Sequence, residues 1–167
     1  RYRLYKNTKF MKIALISPRG AFLSKNKVLA EFIQNSKEMQ TYLKHYWSGF
    51  STALTAIATA TPSAFNVEII DENFEEINFN KHYDLVGVTA VTQQALRAYK
   101  IMDEFRKRNV KVVVGGIHAT VMPEEAKKHA DSVVIGEGEI LWPRLLKDFQ
   151  NNISVLFFLL KGRFQTT

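Results

Sequence analysis

Five short runs rich in valine, isoleucine and leucine, four of them cut off by glycine, proline or acidic residues, constrain this chain more than any other feature. Lys12-Ile13-Ala14-Leu15-Ile16-Ser17 stops at Pro18-Arg19-Gly20, and Asn66-Val67-Glu68-Ile69-Ile70-Asp71 is followed by more acid. Asp84-Leu85-Val86-Gly87-Val88-Thr89 is the third run. Val110-Lys111-Val112-Val113-Val114 stops at Gly115-Gly116, and Ser132-Val133-Val134-Ile135 stops at Gly136-Glu137-Gly138-Glu139. Runs this short read as strands rather than helices. Strict apolar–polar alternation is absent, which is the pattern of strands covered on both faces, as in a parallel sheet.

Between the runs, apolar residues recur at helical spacing. Thr92 is placed to cap a helix reaching about Arg108, with Ala95, Ala98, Tyr99, Met102 and Phe105 on one face. Asp103–Lys107 and Glu104–Arg108 are i,i+4 pairs on its wet side. Pro123-Glu124-Glu125 opens a short helix, Glu139 to Phe149 forms a last one, and residues 48–60 form another beginning at Ser48. Five strands alternating with helices predict a doubly wound α/β fold, Rossmann-like in the broad sense. Its simplest form is a five-stranded parallel sheet in the flavodoxin-like order 2-1-3-4-5. Residues 21–47 read as a helical insertion with two amphipathic stretches, one holding Val28, Leu29, Phe32 and Ile33, the other Met39, Tyr42, Leu43 and Tyr46. The segment Ile153 to Leu160 is either an extra edge strand or a hydrophobic surface for a partner. Residues 1–10 read as a tag-like extension ahead of the domain at 11–150, and 151–167 as a tail.

In an open sheet of this order, ligands bind beyond the carboxyl ends of the strands. The segments delivered to that edge make Ser17, Arg19, Thr89, Val91, Thr92, Gln93, Gly115, Gly116, His118, Gly136, Glu137 and Gly138 the candidate binding residues. Glycine at a strand end lets a ligand or a neighbouring backbone approach closely, although glycine also ends strands for no other reason. An aspartate at the end of the third strand, needed for a phosphoacceptor, is replaced by Thr89. Ser17-Pro18-Arg19-Gly20 is a poor flavin-phosphate loop, and no G-x-G-x-x-G follows the first strand. His45, His82, His118 and His129 share no metal-ligand spacing, and His118 alone lies on the ligand edge. Asp71-Glu72 and Glu75-Glu76 read as a solvated acidic loop or the start of a helix. Nothing resembles a nucleophile–base–orienter set, so no catalytic residue is assigned and the chain reads as a binding module.

Composition narrows the class further. The 167 residues include no cysteine, which excludes thiolate metal sites and iron–sulfur ligation within this sequence. The net charge of +7 is concentrated at the ends: residues 1–10 hold Arg1, Arg3, Lys6 and Lys9 without an acid, and 151–167 hold Lys161 and Arg163. The stretch 11–150 carries 17 basic and 16 acidic residues. A near-neutral body argues against nucleic acid as a partner. The longest apolar run, Val155 to Leu160, is six residues against the roughly 20 that cross a bilayer, so no membrane contact is expected. A cytoplasmic location is the corresponding expectation.

Read in order, the strand-end segments resemble the cobalamin (B12)-binding domain of B12-dependent radical SAM proteins. The resemblance is carried by Asn66 to Asn73, Asp84 to Thr89, Gln94-Ala95-Leu96-Arg97-Ala98-Tyr99, Gly115-Gly116-Ile117-His118-Ala119-Thr120 with Pro123-Glu124-Glu125-Ala126, and Ala130 to Glu139 with Trp142-Pro143. It covers Lys12 to Gly20 and about Ser48 to Phe149. It implies that Thr89-Ala90-Val91 and Gly115-Gly116 line a groove for the nucleotide tail, with Gly136-Glu137-Gly138 beside it. Related domains that ligate cobalt carry Asp-x-His-x-x-Gly after the first strand; here Ser17-Pro18-Arg19-Gly20 has no histidine. The resemblance therefore implies base-off cobalamin with no histidine ligand and no protein metal ligand; from its position in that turn, Arg19 is expected to approach the lower corrin face. It also implies a partner, a radical SAM barrel holding S-adenosylmethionine and a 4Fe-4S cluster, to which the tail turns. Alone, the chain is expected to be catalytically silent. The alternative is a ligand-free flavodoxin-like interaction or regulatory module.

Overall fold

A computed structural model describes residues 10–20, 27–39, 41, 52–151 and 159–161. The basic arm at 1–9, much of the insertion, the start of the helix expected from Ser48, and most of the tail lie outside the described residues. Six strands are described: β1 Met11–Ser17, β2 Phe65–Asp71, β3 Leu85–Thr89, β4 Lys111–Gly115, β5 Ser132–Ile135 and β6 Leu159–Lys161. They form one sheet in the order β2-β1-β3-β4-β5-β6, and every pairing is parallel. The expected order 2-1-3-4-5 is therefore present, and β6 extends it on the β5 side.

The apolar runs take this form because each strand buries both faces. Ile13 and Leu15 of β1 pack into one core with Leu85, Val113 and Val134, while Ala14 and Ile16 pack into the other with Val86, Val88, Val112, Val114, Val133 and Ile135. Successive side chains on a strand point to opposite faces, so a run apolar at every position is what a sheet covered twice requires. Two helices, α2 Thr52–Ala60 and α6 Gly138–Gln150, cover the first face through Leu54, Trp142, Leu145 and Leu146. The other is covered by α3 Ala95–Lys107 and the short α4 Ile117–Val121 and α5 Pro123–Ala126. On that side Ala95, Ala98, Tyr99, Met102 and Phe105 lie buried, as their spacing predicts. Helix α1 Lys27–Asn35 belongs to the expected insertion, and its Val28 and Phe32 are exposed.

Three local expectations change. Thr92 does not cap α3; it begins a 3-10 turn, Thr92–Gln94, before that helix, and Gln94 Oε1 accepts the Val91 N–H at 3.1 Å. Asp103 does not reach Lys107. It faces the Nδ1 of His129 at 2.9 Å, whereas Lys107 pairs with Glu104 alongside the expected Glu104–Arg108 bond. Finally, Asp71 and Glu72 are buried rather than solvated. Among the described residues no helix is long and apolar enough to cross a membrane.

Candidate functional site

The carboxyl ends of β1, β3, β4 and β5 open into a cleft of about 140 Å³ between α2 and α6. Leu15, Leu54, Ile57, Gly87, Val113, Val134 and Trp142 make an apolar interior. Thr89, Gly115, Gly116, Gly136, Gly138 and Glu139 line it where the strands end. The cleft exists partly because several of these positions lack a side chain. A Cβ on Gly87 would lie 2.9 Å from Leu15 Cδ2 and 3.4 Å from Trp142 Cη2, and one on Gly138 would lie 3.0 Å from Ile57 Cδ1. Trp142 is held in place by donating from Nε1 to Thr61 Oγ1 at 2.8 Å.

The glycine loops are braced against each other. Gly116 has φ +91°, and its carbonyl accepts from the Thr120 hydroxyl at 2.9 Å. The same hydroxyl oxygen accepts the N–H of Gly136, itself at φ +86°, at 3.1 Å. Thr120 thus links the loops after β4 and β5. The His118 N–H donates to Ala90 O at 3.0 Å, joining the loop after β4 to that after β3. Thr120 was not among the residues expected from sequence; its place in Gly115-Gly116-Ile117-His118-Ala119-Thr120, one helical turn after Gly116, is the signal that could have found it.

On the other side of the same edge, the loops after β1 and β2 meet helix α3 at Glu72. Its side chain is only 1% exposed. It accepts from Arg97 Nε at 2.8 and 2.9 Å, from Arg97 Nη2, from the Arg19 backbone N–H at 2.9 Å and from Arg19 Nη2 at 3.4 Å. Burial alone pushes the Glu72 carboxyl up, but the bonds from Arg97 and from the Arg19 backbone, and then both charges, outweigh it, holding it below the usual carboxylate range. Gln94 Nε2 donates to Pro18 O at 2.6 Å and Asn73 Oδ1 accepts the Gly20 N–H at 3.2 Å.

The candidate residues thus fall into groups. Thr89, Gly115, Gly116, Gly136 and Gly138 meet in the cleft. Ser17 is buried at the end of β1, and Arg19 stands half-exposed above Glu72. Val91 is half-buried, with Thr92, Gln93 and Glu137 exposed around the rim. His118 reaches the edge with its backbone only. Its ring is buried beneath α3, with Nε2 2.6 Å from the Tyr99 hydroxyl, which donates to Glu125 Oε1 at 2.9 Å. The one Tyr99 proton goes to Glu125, which assigns the proton on the His118 ring to Nε2.

A twisted parallel sheet, glycine-bordered at its carboxyl edge and opening into an apolar cleft between two helices, defines a doubly wound cofactor-binding domain. The particular family follows from comparison: the B12 binding domain family matches residues 48–146, more than half of the sequence, and the chain belongs to it. It is 48% identical over 104 residues to a bacteriochlorophyllide d C-8(2)-methyltransferase of Chlorobaculum tepidum, a match covering 62% of this chain and 23% of that protein. It is 35% identical over 98 residues to a bacteriochlorophyllide d C-12(1)-methyltransferase of the same organism, covering 57% and 21%. With an uncharacterized methyltransferase of Pyrococcus horikoshii it shares 32% identity over 112 residues, covering 59% and 24%. The chain spans about a quarter of the length of these relatives.

Proposed function

We propose that this chain binds cobalamin base-off at the carboxyl edge of the sheet, with the nucleotide tail lying in the cleft between α2 and α6. The observation that carries this reading is the cleft itself, whose interior space depends on Gly87, Gly116 and Gly138. A long tail needs such a slot, and Thr89 with the neighbouring backbone supplies hydrogen-bonding groups where it enters. Gly115, Gly116, Gly136 and Gly138 let the tail approach the backbone, and Val91, Thr92, Gln93 and Glu137 border the corrin. Ser17 closes the end of β1. His118 contributes through its backbone, keeping the loop after β3 against the loop after β4. Arg19 stands in the turn where related domains carry a cobalt-ligating histidine, and it approaches the lower corrin face without ligating.

In the whole protein the domain works beside a radical SAM barrel with its S-adenosylmethionine and 4Fe-4S cluster, as part of a methyltransferase, the activity named for its relatives. Cobalamin supplies a metal that accepts and donates a methyl group. This chain's own residues bind and orient the cofactor and exclude water from its tail.

Titration with hydroxocobalamin tests the reading. Saturable binding with a base-off absorption spectrum is expected, and Gly116→Val abolishes it. No binding at high cobalamin concentration overturns the proposal and leaves a ligand-free interaction module. Arg19→Ala is expected to weaken binding and shift the spectrum; an unchanged spectrum and affinity remove Arg19 from the site.

A further inference from the structure

We infer that Glu72, Arg97 and Gln94 are positioning residues for cofactor binding, acting through the loop after β1 without touching the cofactor. This inference rests on the cobalamin reading above. The loop Pro18-Arg19-Gly20 follows β1 on the ligand edge, between the ends of β2 and β3, and each of its three residues is tied down from another element. Pro18 O is held by Gln94, the Arg19 N–H and guanidinium by Glu72, and the Gly20 N–H by Asn73. Arg97, 25 residues from Glu72, fixes that carboxylate from α3 with both its Nε and its Nη2.

This arrangement holds more than the fold requires. A carboxylate buried beside one arginine is already paired. Here Oε2 also accepts the backbone N–H of a loop that contributes nothing to the sheet, and Oε1 accepts from that loop's guanidinium. The consequence is a half-exposed Arg19 guanidinium, 43% accessible, standing at a fixed place on the ligand edge before any ligand arrives. A loop ordered in advance spares the binding step the entropy of ordering it, so affinity depends on the groups that hold it.

The test separates positioning from stability by exchanging the pair. In the double variant Glu72→Arg, Arg97→Glu, an ion pair survives but residue 72 no longer accepts from Arg19. Thermal stability is expected to recover relative to either single variant. The Kd for hydroxocobalamin is expected to stay raised about tenfold or more, which is the size of effect that preorganisation carries. The neutral pair Glu72→Leu, Arg97→Met gives the same reading if the exchanged pair does not fold. Gln94→Glu keeps an acceptor for the Val91 N–H and loses the donor to Pro18 O, so it is expected to weaken binding several-fold with little change in Tm. Wild-type affinity in the exchanged or neutral pair overturns the inference. So does a loss of affinity that returns fully with stability. If the unaltered chain itself binds no cobalamin, the proposed function fails, an outcome distinct from wild-type-like binding by the variants.

Discussion

Gly116, at φ +91° and ψ −174°, occupies backbone space open essentially to glycine alone. A Cβ there would sit 2.6 Å from Thr89 Oγ1 and 3.1 Å from both the N and the O of Ala90, so the clash is partly with backbone that has nowhere to move. Gly116→Ala is expected to lower stability by about 1–3 kcal/mol, read from the urea midpoint, and to weaken cobalamin binding by displacing Thr89. Tyr99 makes the opposite case, of a residue important away from the cleft. Its hydroxyl serves both His118 Nε2 and Glu125, and its ring stacks on His129 at 4.1 Å. Burial, then the bond to Glu125, raises its pKa well beyond the ordinary tyrosine value, so it stays a donor throughout the working range. His118 Nδ1 already lacks a partner, and Tyr99→Phe leaves the buried Nε2 without one as well. The cost expected in a denaturation experiment is about 1–3 kcal/mol, with the cofactor spectrum unchanged. Gly115-Gly116 could be read from the sequence because glycine has a local backbone meaning. The inward turn of His118 could not, because it depends on a tyrosine from a different helix.

At the level of elements, the cleft is made by what β3 omits and α6 supplies. Gly87 lies in the middle of β3, where a side chain would be expected to fill the core, and the Trp142 ring of α6 occupies the neighbouring space. Gly87→Val places a branched side chain against Leu15 and Trp142. Overpacking of this kind costs about 1–3 kcal/mol, and the variant should also lose cobalamin affinity because the cleft interior fills. If its affinity equals that of the unaltered chain, the tail does not lie there. The strands themselves were legible: the short apolar runs, closed by glycine after β4 and β5, placed β3, β4 and β5 to within a residue. The boundary of α3 was less so. Thr92 has the chemistry of a cap, yet a 3-10 turn intervenes and Gln94 stands at the start of α3, its side chain spent on the Val91 N–H and, across 76 residues, on Pro18 O rather than on the helix. The burial of Glu72 was illegible for the same reason. Asp71-Glu72-Asn73 has the composition of a wet turn, and only the meeting of the loops after β1 and β2 with α3 makes it an interior.

Over the whole molecule, charge is distributed more informatively than its total conveys. The body from 11 to 150 is nearly neutral, and its buried charge is concentrated at the ligand edge, where Glu72 meets Arg97 and Arg19. That placement makes stability and cofactor binding respond to acid together. Glu72 titrates below its ordinary range when folded, so the stability it contributes is fully present above the unfolded carboxyl pKa of about 4.3. It is lost as pH falls through the lower folded value, when protonation removes an acceptor from Arg97 and Arg19. Glu68, held down first by its bond from Lys81, has the same sign. Its ion pair is well exposed, so its share is small. Urea midpoints measured from pH 7 to pH 3 should therefore be flat until about pH 4.3 and then fall. In the neutral pair Glu72→Leu, Arg97→Met the fall should be shallower over the same window, leaving a residue from Glu68. A pair variant that falls as steeply as the unaltered chain would place the acid sensitivity elsewhere, and would separate the charge at the ligand edge from the stability of the fold.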